Sequence, residues 1–157
     1  MHPNVEPVVA AASAAGVTIE PRDFPDSTRT AADAAAAIGV PVGAIVKSLV
    51  FLVDEQPVVA LVSGENQLDE KKLAAAVGGS ACRRPDASTV RNATGFPIGG
   101  IPPFGYRQPL PVFVDRDLLG FDEVWAAAGT PHINFSISPA DLVAVSGATT
   151  ADLARRP

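Results

Sequence analysis

Ile45-Val46-Lys47-Ser48-Leu49-Val50-Phe51-Leu52-Val53 and Val58-Val59-Ala60-Leu61-Val62-Ser63 are two apolar runs separated by Asp54-Glu55-Gln56-Pro57. β-Branched and large apolar residues dominate both runs, and the gap is short and polar, so the stretch reads most simply as a β-hairpin. One residue breaks the pattern. By strand alternation Lys47 shares a face with Ile45, Leu49 and Phe51. Lysine is seldom buried unless it is paired or functional. Either it is a cation at the mouth of a pocket, where it meets an anion or a developing oxyanion, or it snorkels to water from a strand end.

Outward from the hairpin, helices and strands alternate irregularly. Pro3 to Ala15 has helical spacing of Val5, Val8, Val9 and Ala12, with Gly16 as its stop. Val17 to Glu20 is a short strand candidate, and Thr30 to Ile38 an Ala-rich helix closed by Gly39. Asp69 to Val77 is a capped helix before Gly78-Gly79, and Asp86 to Ala93 a shorter one. Leu110 to Val114 reads as a strand, Asp122 to Ala128 as a short helix carrying Trp125, and Ile133 to Ile137 as an alternating strand. Ser138-Pro139 supplies an N-cap and first residue for one helical turn, and Leu142 to Val145 is a last strand. Residues 1–148 make one domain in this reading, and 149–157 form a loosely held tail. The mixture fits a mixed α/β domain around a curved sheet or barrel better than a doubly wound sheet.

The chain has 157 residues, 47% hydrophobic and 18% charged, a globular composition of one-domain size. No stretch approaches the ~20 apolar residues that span a bilayer, and the start lacks the basic region of a signal peptide. One cysteine, Cys82, and two histidines, His2 and His132, make a disulfide or an N/S-ligated metal site an unpromising expectation. These features point to a cytoplasmic protein with no cofactor or metal. The net charge of −5 argues against a broad nucleic-acid-coating surface, DNA included. A small RNA contact remains compatible, with Lys71-Lys72, Arg83-Arg84, Arg91 and Arg107 as local basic candidates or simply solvated charges.

A second segment stands apart: Thr94-Gly95-Phe96-Pro97-Ile98-Gly99-Gly100-Ile101-Pro102-Pro103-Phe104-Gly105, in which seven of twelve residues are Gly or Pro. Such a density of breakers excludes a helix or strand, and the large apolar side chains are wrong for a flexible linker. It is either a shaped loop exposing backbone N–H groups at Gly99 and Gly100 to a carbonyl or phosphate, or a surface connection. On the strand that follows Gly129-Thr130-Pro131, His132, Asn134 and Ser136 share one face and Ile133, Phe135 and Ile137 the other. His132 can orient a water or a ribose hydroxyl or be structural. The chain lacks a Gly-x-Ser-x-Gly elbow, a Walker A loop and a Gly-x-Gly-x-x-Gly turn.

The lysine strand, the Gly99-Gly100-Ile101-Pro102-Pro103-Phe104-Gly105 loop, Leu110-Pro111-Val112-Phe113-Val114-Asp115 and the run from Gly129 to Leu142 together resemble the YbaK-like family of aminoacyl-tRNA (prolyl-tRNA) editing domains, over about residues 20 to 148. The resemblance implies a mixed α/β fold with a central curved, barrel-like sheet and surrounding helices. It also implies a deacylase that hydrolyses the ester of a mischarged tRNA, often tRNA(Pro), at its 3′-terminal acceptor end. Prolyl-tRNA synthetase is a further partner it suggests, and membranes and DNA are not. The catalytic set it implies is Lys47, backbone amides around Gly99, Gly100 and Ile101, and His132. Substrate contacts fall at Ser48, Thr94, Phe96, Pro102, Phe104 and Asn134. Ser48 follows the lysine where relatives carry Thr, Asn or Ser, and Ile101-Pro102-Pro103 stands where others have Val-Ser-Pro. The amino acid removed therefore stays open among alanine, cysteine, serine, threonine and others. A non-catalytic tRNA- or synthetase-binding module and a small-molecule ester hydrolase are the alternatives of the same fold.

Overall fold

The computed structural model describes residues 1–26 and 28–157. The hairpin is its centre. Strands β2 (Val46–Val53) and β3 (Gln56–Ser63) pair antiparallel in continuous register from Val46↔Ser63 to Val53↔Gln56. The connection is two residues, shorter than the sequence suggested. Asp54 (φ 48°) and Glu55 (φ 67°) both take left-handed conformations, the geometry whose twist matches that of flanking antiparallel strands. Neighbouring chain fixes this strained turn. The Asp54 carboxylate accepts from the Ala81 amide at 2.9 Å, and Glu55 makes a two-point pair with Arg83.

The hairpin sits inside a five-stranded sheet of order β4-β2-β3-β5-β8, with β4 at Cys82–Arg83, β5 at Val112–Asp115 and β8 at Thr149–Ala151. β5 and β8 run parallel to their neighbours. A second, three-stranded sheet has the order β1-β7-β6, from Arg22–Asp23, Ile133–Ile137 and Val124–Thr130. Among the described residues, one isolated bridge, between Ile45 and Trp125, joins the two sheets. They do not close into a barrel.

Alternation along β3 explains why both its faces are apolar. Val59 and Leu61 enter a core with Val8 of helix α1 (Glu6–Ala14) and its N-cap residue Val5, Phe135 of β7 and Leu142 of helix α5 (Pro139–Ser146). Val58, Ala60 and Val62 enter a second core with Phe51, Phe113, Leu153 and Leu73 of helix α3 (Glu70–Val77). Helix α2 (Ala31–Ile38) covers a smaller cluster of Ala34, Ala35, Ile45 and Trp125. Helix α4 (Ala87–Thr94) leads into the Gly/Pro loop. Among the described residues no helix is long and apolar enough to cross a membrane.

The structure corrects four readings of local structure. Asp122 to Ala128 is not a helix: from Val124 on it is the first part of β6, where Val124, Ala126 and Ala128 face the first core and Trp125 the α2 cluster. Leu142 to Val145 is not a strand. The single turn expected after Ser138 continues as α5 to Ser146, with the Ser138 hydroxyl accepting from the Asp141 amide at 3.1 Å. Val17 to Glu20 forms no strand, and the two residues Arg22–Asp23 pair with Asn134 and Ile133 instead. Residues 149–157 are not loose. β8 pairs with β5, Leu153 and Ala154 are fully buried, and Ala154 bridges Leu68.

Candidate active site

β2 has an open edge. The Gly64 amide donates to the Ile45 carbonyl, so the odd-numbered residues of β2 bond to β3 and the even-numbered ones point away from it. Beyond them β4 pairs only with Leu52 and Val53. At Ser48 and Val50 no strand among the described residues pairs with β2 on its outer edge, and a cavity of about 470 Å³ lies there. Lys47, Ser48, Val50 and Phe51 line one wall. Arg29, Thr30, Ala31 and Ala34, at the start of α2, line another. Ile98, Gly99 and Ile101 of the Gly/Pro loop close it from the side, with Ala127 of β6 and Asn134 of β7 at the back. The volume suits a small organic group.

Lys47 is half-buried, and its ammonium donates to the main-chain carbonyl of Asn66. The side-chain amide of Asn66 in turn donates to Asp115 at 2.9 Å and Asp117 at 2.8 Å. Asp115 is fully buried and also accepts from the Ser63 amide. Burial lowers the Lys47 pKa from the ordinary lysine value, and the Asp115 carboxylate opposes that shift. The cation is therefore held by a neutral acceptor, with its countercharge one residue removed.

The loop is shaped as its composition required. Pro97 to Gly100 is a turn in which the Gly100 amide donates to the Pro97 carbonyl at 3.1 Å, with Gly99 at φ +93°. That conformation at the third turn position favours glycine. Gly100 abuts the sheet so closely that a methyl group there would lie 2.8 Å from Thr130 Cα. The Gly100 N–H is thus committed within the turn, whereas the amides of Gly99 and Ile101 have no partner among the described residues. Ser48 Oγ is buried and without a hydrogen-bond partner, which in a cavity wall marks a place for a polar ligand atom.

The structure brings together Lys47, Ser48, Gly99, Ile101 and Asn134 on this one cavity. Asn134 is buried and donates to the Thr28 hydroxyl at 2.8 Å, which itself donates to the Pro131 carbonyl. The remaining candidates lie off the lining. The Thr94 hydroxyl donates to the Val90 carbonyl and accepts from the Phe96 amide, closing the end of α4. Phe96 and Phe104 are core residues, Phe104 packing on the Phe135 ring at 5.6 Å. The Pro102 carbonyl accepts from Tyr106 at 2.7 Å. His132 is exposed, its carbonyl accepting from the Phe24 amide. Arg29, Arg84 and Asn66 were not singled out for the site. Arg84 was visible only as one of several basic pairs, and nothing in the sequence sets Asn66 apart from other loop asparagines.

The model of the aminoacyl-tRNA editing domain family matches residues 25–145, a span that contains every element around this cavity. A solved structure described as a candidate trans-editing enzyme for prolyl tRNA synthetase superposes with a TM-score of 0.92 at 45% identity, covering 99% of each chain. EbsC of Enterococcus faecalis, named as a candidate Cys-tRNA(Pro)/Cys-tRNA(Cys) deacylase, is 26% identical over 125 residues, 79% of this chain and 76% of its own. Proline–tRNA ligase of Nitratidesulfovibrio vulgaris is 36% identical over 96 residues, 61% of this chain but only 17% of the ligase. The chain thus corresponds to a small part of that much longer relative. It belongs to the aminoacyl-tRNA editing domain family.

Proposed function

We propose that this protein is a trans-acting deacylase that hydrolyses the ester between a small non-cognate amino acid and the 3′ end of a tRNA, tRNA(Pro) being the favoured carrier. The observation that supports it is the meeting, on one cavity, of a half-buried lysine with a glycine-rich loop whose Gly99 and Ile101 amides have no partner among the described residues, in a chain of the editing family. A water oxygen adds to the ester carbonyl carbon, and the carbonyl oxygen becomes an oxyanion. The Gly99 and Ile101 amides and the Lys47 ammonium stabilise that charge, preorganised in a partly desolvated pocket. The carbon–oxygen bond to the ribose then breaks and the proton given up by the attacking water ends on the departing ribose oxygen, leaving free amino acid and intact tRNA. An aminoacyl ester is already activated, so positioning and charge stabilisation suffice and no covalent intermediate is required. His132 is exposed and off the cavity lining, so this scheme gives it no role at the reacting carbonyl. Such an enzyme acts in the cytoplasm, beside prolyl-tRNA synthetase, whose charging errors it removes.

The test is a panel of mischarged tRNAs incubated with the protein and with Lys47→Ala. Wild-type protein releases at least one small amino acid, and the variant loses about a hundred-fold or more of that rate with an unaltered melting midpoint. Near-wild-type turnover by the variant would falsify the role of Lys47. Retention of tRNA without any release would make the protein a binding module.

A further inference from the structure

A second cavity, of about 450 Å³, adjoins the first and shares Lys47, Leu49, Phe51 and Arg84 with it. Its other polar walls are Gln67, Glu70 and Arg155. Three cations thus face one carboxylate. The arginines come from two adjacent pairs, Arg83-Arg84 and Arg155-Arg156, and each pair divides in the same way. Arg83 is bound to Glu55 at 2.6 Å, and Arg156 to Asp117 at 3.3 Å and Asp152 at 3.1 Å. Arg84 and Arg155 have no carboxylate within ion-pairing distance among the described residues. Both are nevertheless anchored. The Arg84 guanidinium lies 5.3 Å from the centre of the Phe51 ring, and the Arg155 amide donates to the Gln67 carbonyl at 2.8 Å, with its guanidinium 3.4 Å from the Gln67 side-chain oxygen.

We propose that this cavity is a phosphodiester subsite, in which Arg84 and Arg155 grip the RNA backbone on the 5′ side of the terminal nucleotide whose ester occupies the first cavity. The inference rests on the deacylase reading above, since the two cavities meet at Lys47 and a single substrate spans them. The occupant is a phosphate rather than a stacked base because Arg84 already covers the Phe51 ring. Unpaired arginines facing a concave wall suit the planar, multi-donor recognition of phosphate oxygens. The subsite also explains how a chain of net charge −5 meets a polyanion, because phosphate contact depends on local and not total charge.

The experiment measures affinity for an uncharged, 5′-labelled tRNA acceptor minihelix by fluorescence anisotropy across a salt series, for wild-type protein, Arg84→Gln, Arg155→Gln and Arg83→Gln. Each of the first two weakens binding about ten-fold and lowers the salt slope by about 0.7, as expected for one lost single-strand phosphate contact. Arg83→Gln stays within about two-fold, because its guanidinium is already engaged at the surface. In the hydrolysis arm, KM for mischarged tRNA rises about ten-fold more in the two variants than KM for the phosphate-free aminoacyl-adenosine. Equal affinity and salt slope in wild-type protein, Arg84→Gln and Arg155→Gln overturn the subsite. Displacement of the minihelix by micromolar inorganic phosphate overturns it as an RNA site and makes it one for free phosphate. Arginine-dependent minihelix binding in a protein that hydrolyses no ester keeps the subsite and overturns the deacylase reading alone.

Discussion

In the proposed reaction the charge of Lys47 meets the oxyanion, and that charge is set by two opposed influences. Burial disfavours the ammonium and the Asp115 carboxylate favours it. If the protonated form stabilises the oxyanion, activity falls as pH rises through the Lys47 pKa. Asp115→Asn removes the favourable charge and lowers that pKa further. The alkaline limb of the kcat/KM profile is therefore expected to move to lower pH, and a limb that stays put or moves upward refutes the coupling. Gly100 makes a different demand. A methyl group there meets the Thr130 Cα, carbonyl carbon and nitrogen, all backbone atoms, at 2.8 to 3.0 Å. Gly100→Ala is expected to cost about 1–3 kcal/mol in denaturant unfolding, as overpacked positions do.

At the scale of elements, most helix ends were legible because they carry chemical punctuation, although α5 was read as a single turn followed by a strand. Thr30, Asp69, Asp86 and Ser138 each cap a helix through a side-chain oxygen, and Gly39, Gly78, Gly95 and Gly147 each end one in the left-handed conformation. The hairpin was legible because both its strands are rich in β-branched residues. β6 was not, because Val124-Trp125-Ala126-Ala127-Ala128 contains mostly alanine, a good helix former, while the alternation that decides the matter lies in what each alanine touches. Ala126 and Ala128 face the core and Ala127 faces the cavity. Such small residues mark close packing on both faces of a strand, a tertiary fact that periodicity cannot report. In the site, Lys47 and the glycine turn were legible as anomalies. The commitment of the Gly100 amide was not, since it depends on the turn's closing hydrogen bond.

The C-terminal strand escaped notice for a similar reason: a three-residue strand gains its stability from partners distant in sequence. Leu153 is fully buried against the α3 side of the sheet, so Leu153→Ala is expected to cost about 2–5 kcal/mol, read from chemical denaturation. An unaltered midpoint contradicts that packing. The same segment carries an acid-sensitive tie. Asp152 is engaged by Lys72 and Arg156, and its pKa falls from 3.8 to about 2. A depressed carboxylate contributes stability above its unfolded pKa and loses it as pH falls through the folded one. Protection of residues 149–154, corrected for the intrinsic pH dependence of exchange, is expected to fall as pH drops from 3.8 to about 2, and Asp152→Asn to abolish that dependence.

Across the whole molecule, the cavity is a gap between two fixed bodies, the central hairpin on one side and the loop with β6 and β7 on the other. For the proposed deacylase this implies selectivity by volume, since a small pocket excludes larger correct amino acids. Ala127 lines the gap from a strand position, and Ala127→Val narrows it without emptying the core. The variant is expected to lose about ten-fold or more in kcat/KM for the bulkiest amino acid hydrolysed and much less for the smallest, at one to two methylenes' worth of discrimination. Equal losses across the series exclude the volume mechanism. The contact of Gly100 with Thr130 carries this further. A loop seated directly on sheet backbone is one jaw of a calliper that has no hinge. Rejection of an oversized amino acid then needs no closing lid, and hydrolysis rates should be indifferent to solvent viscosity once diffusion of the tRNA is allowed for.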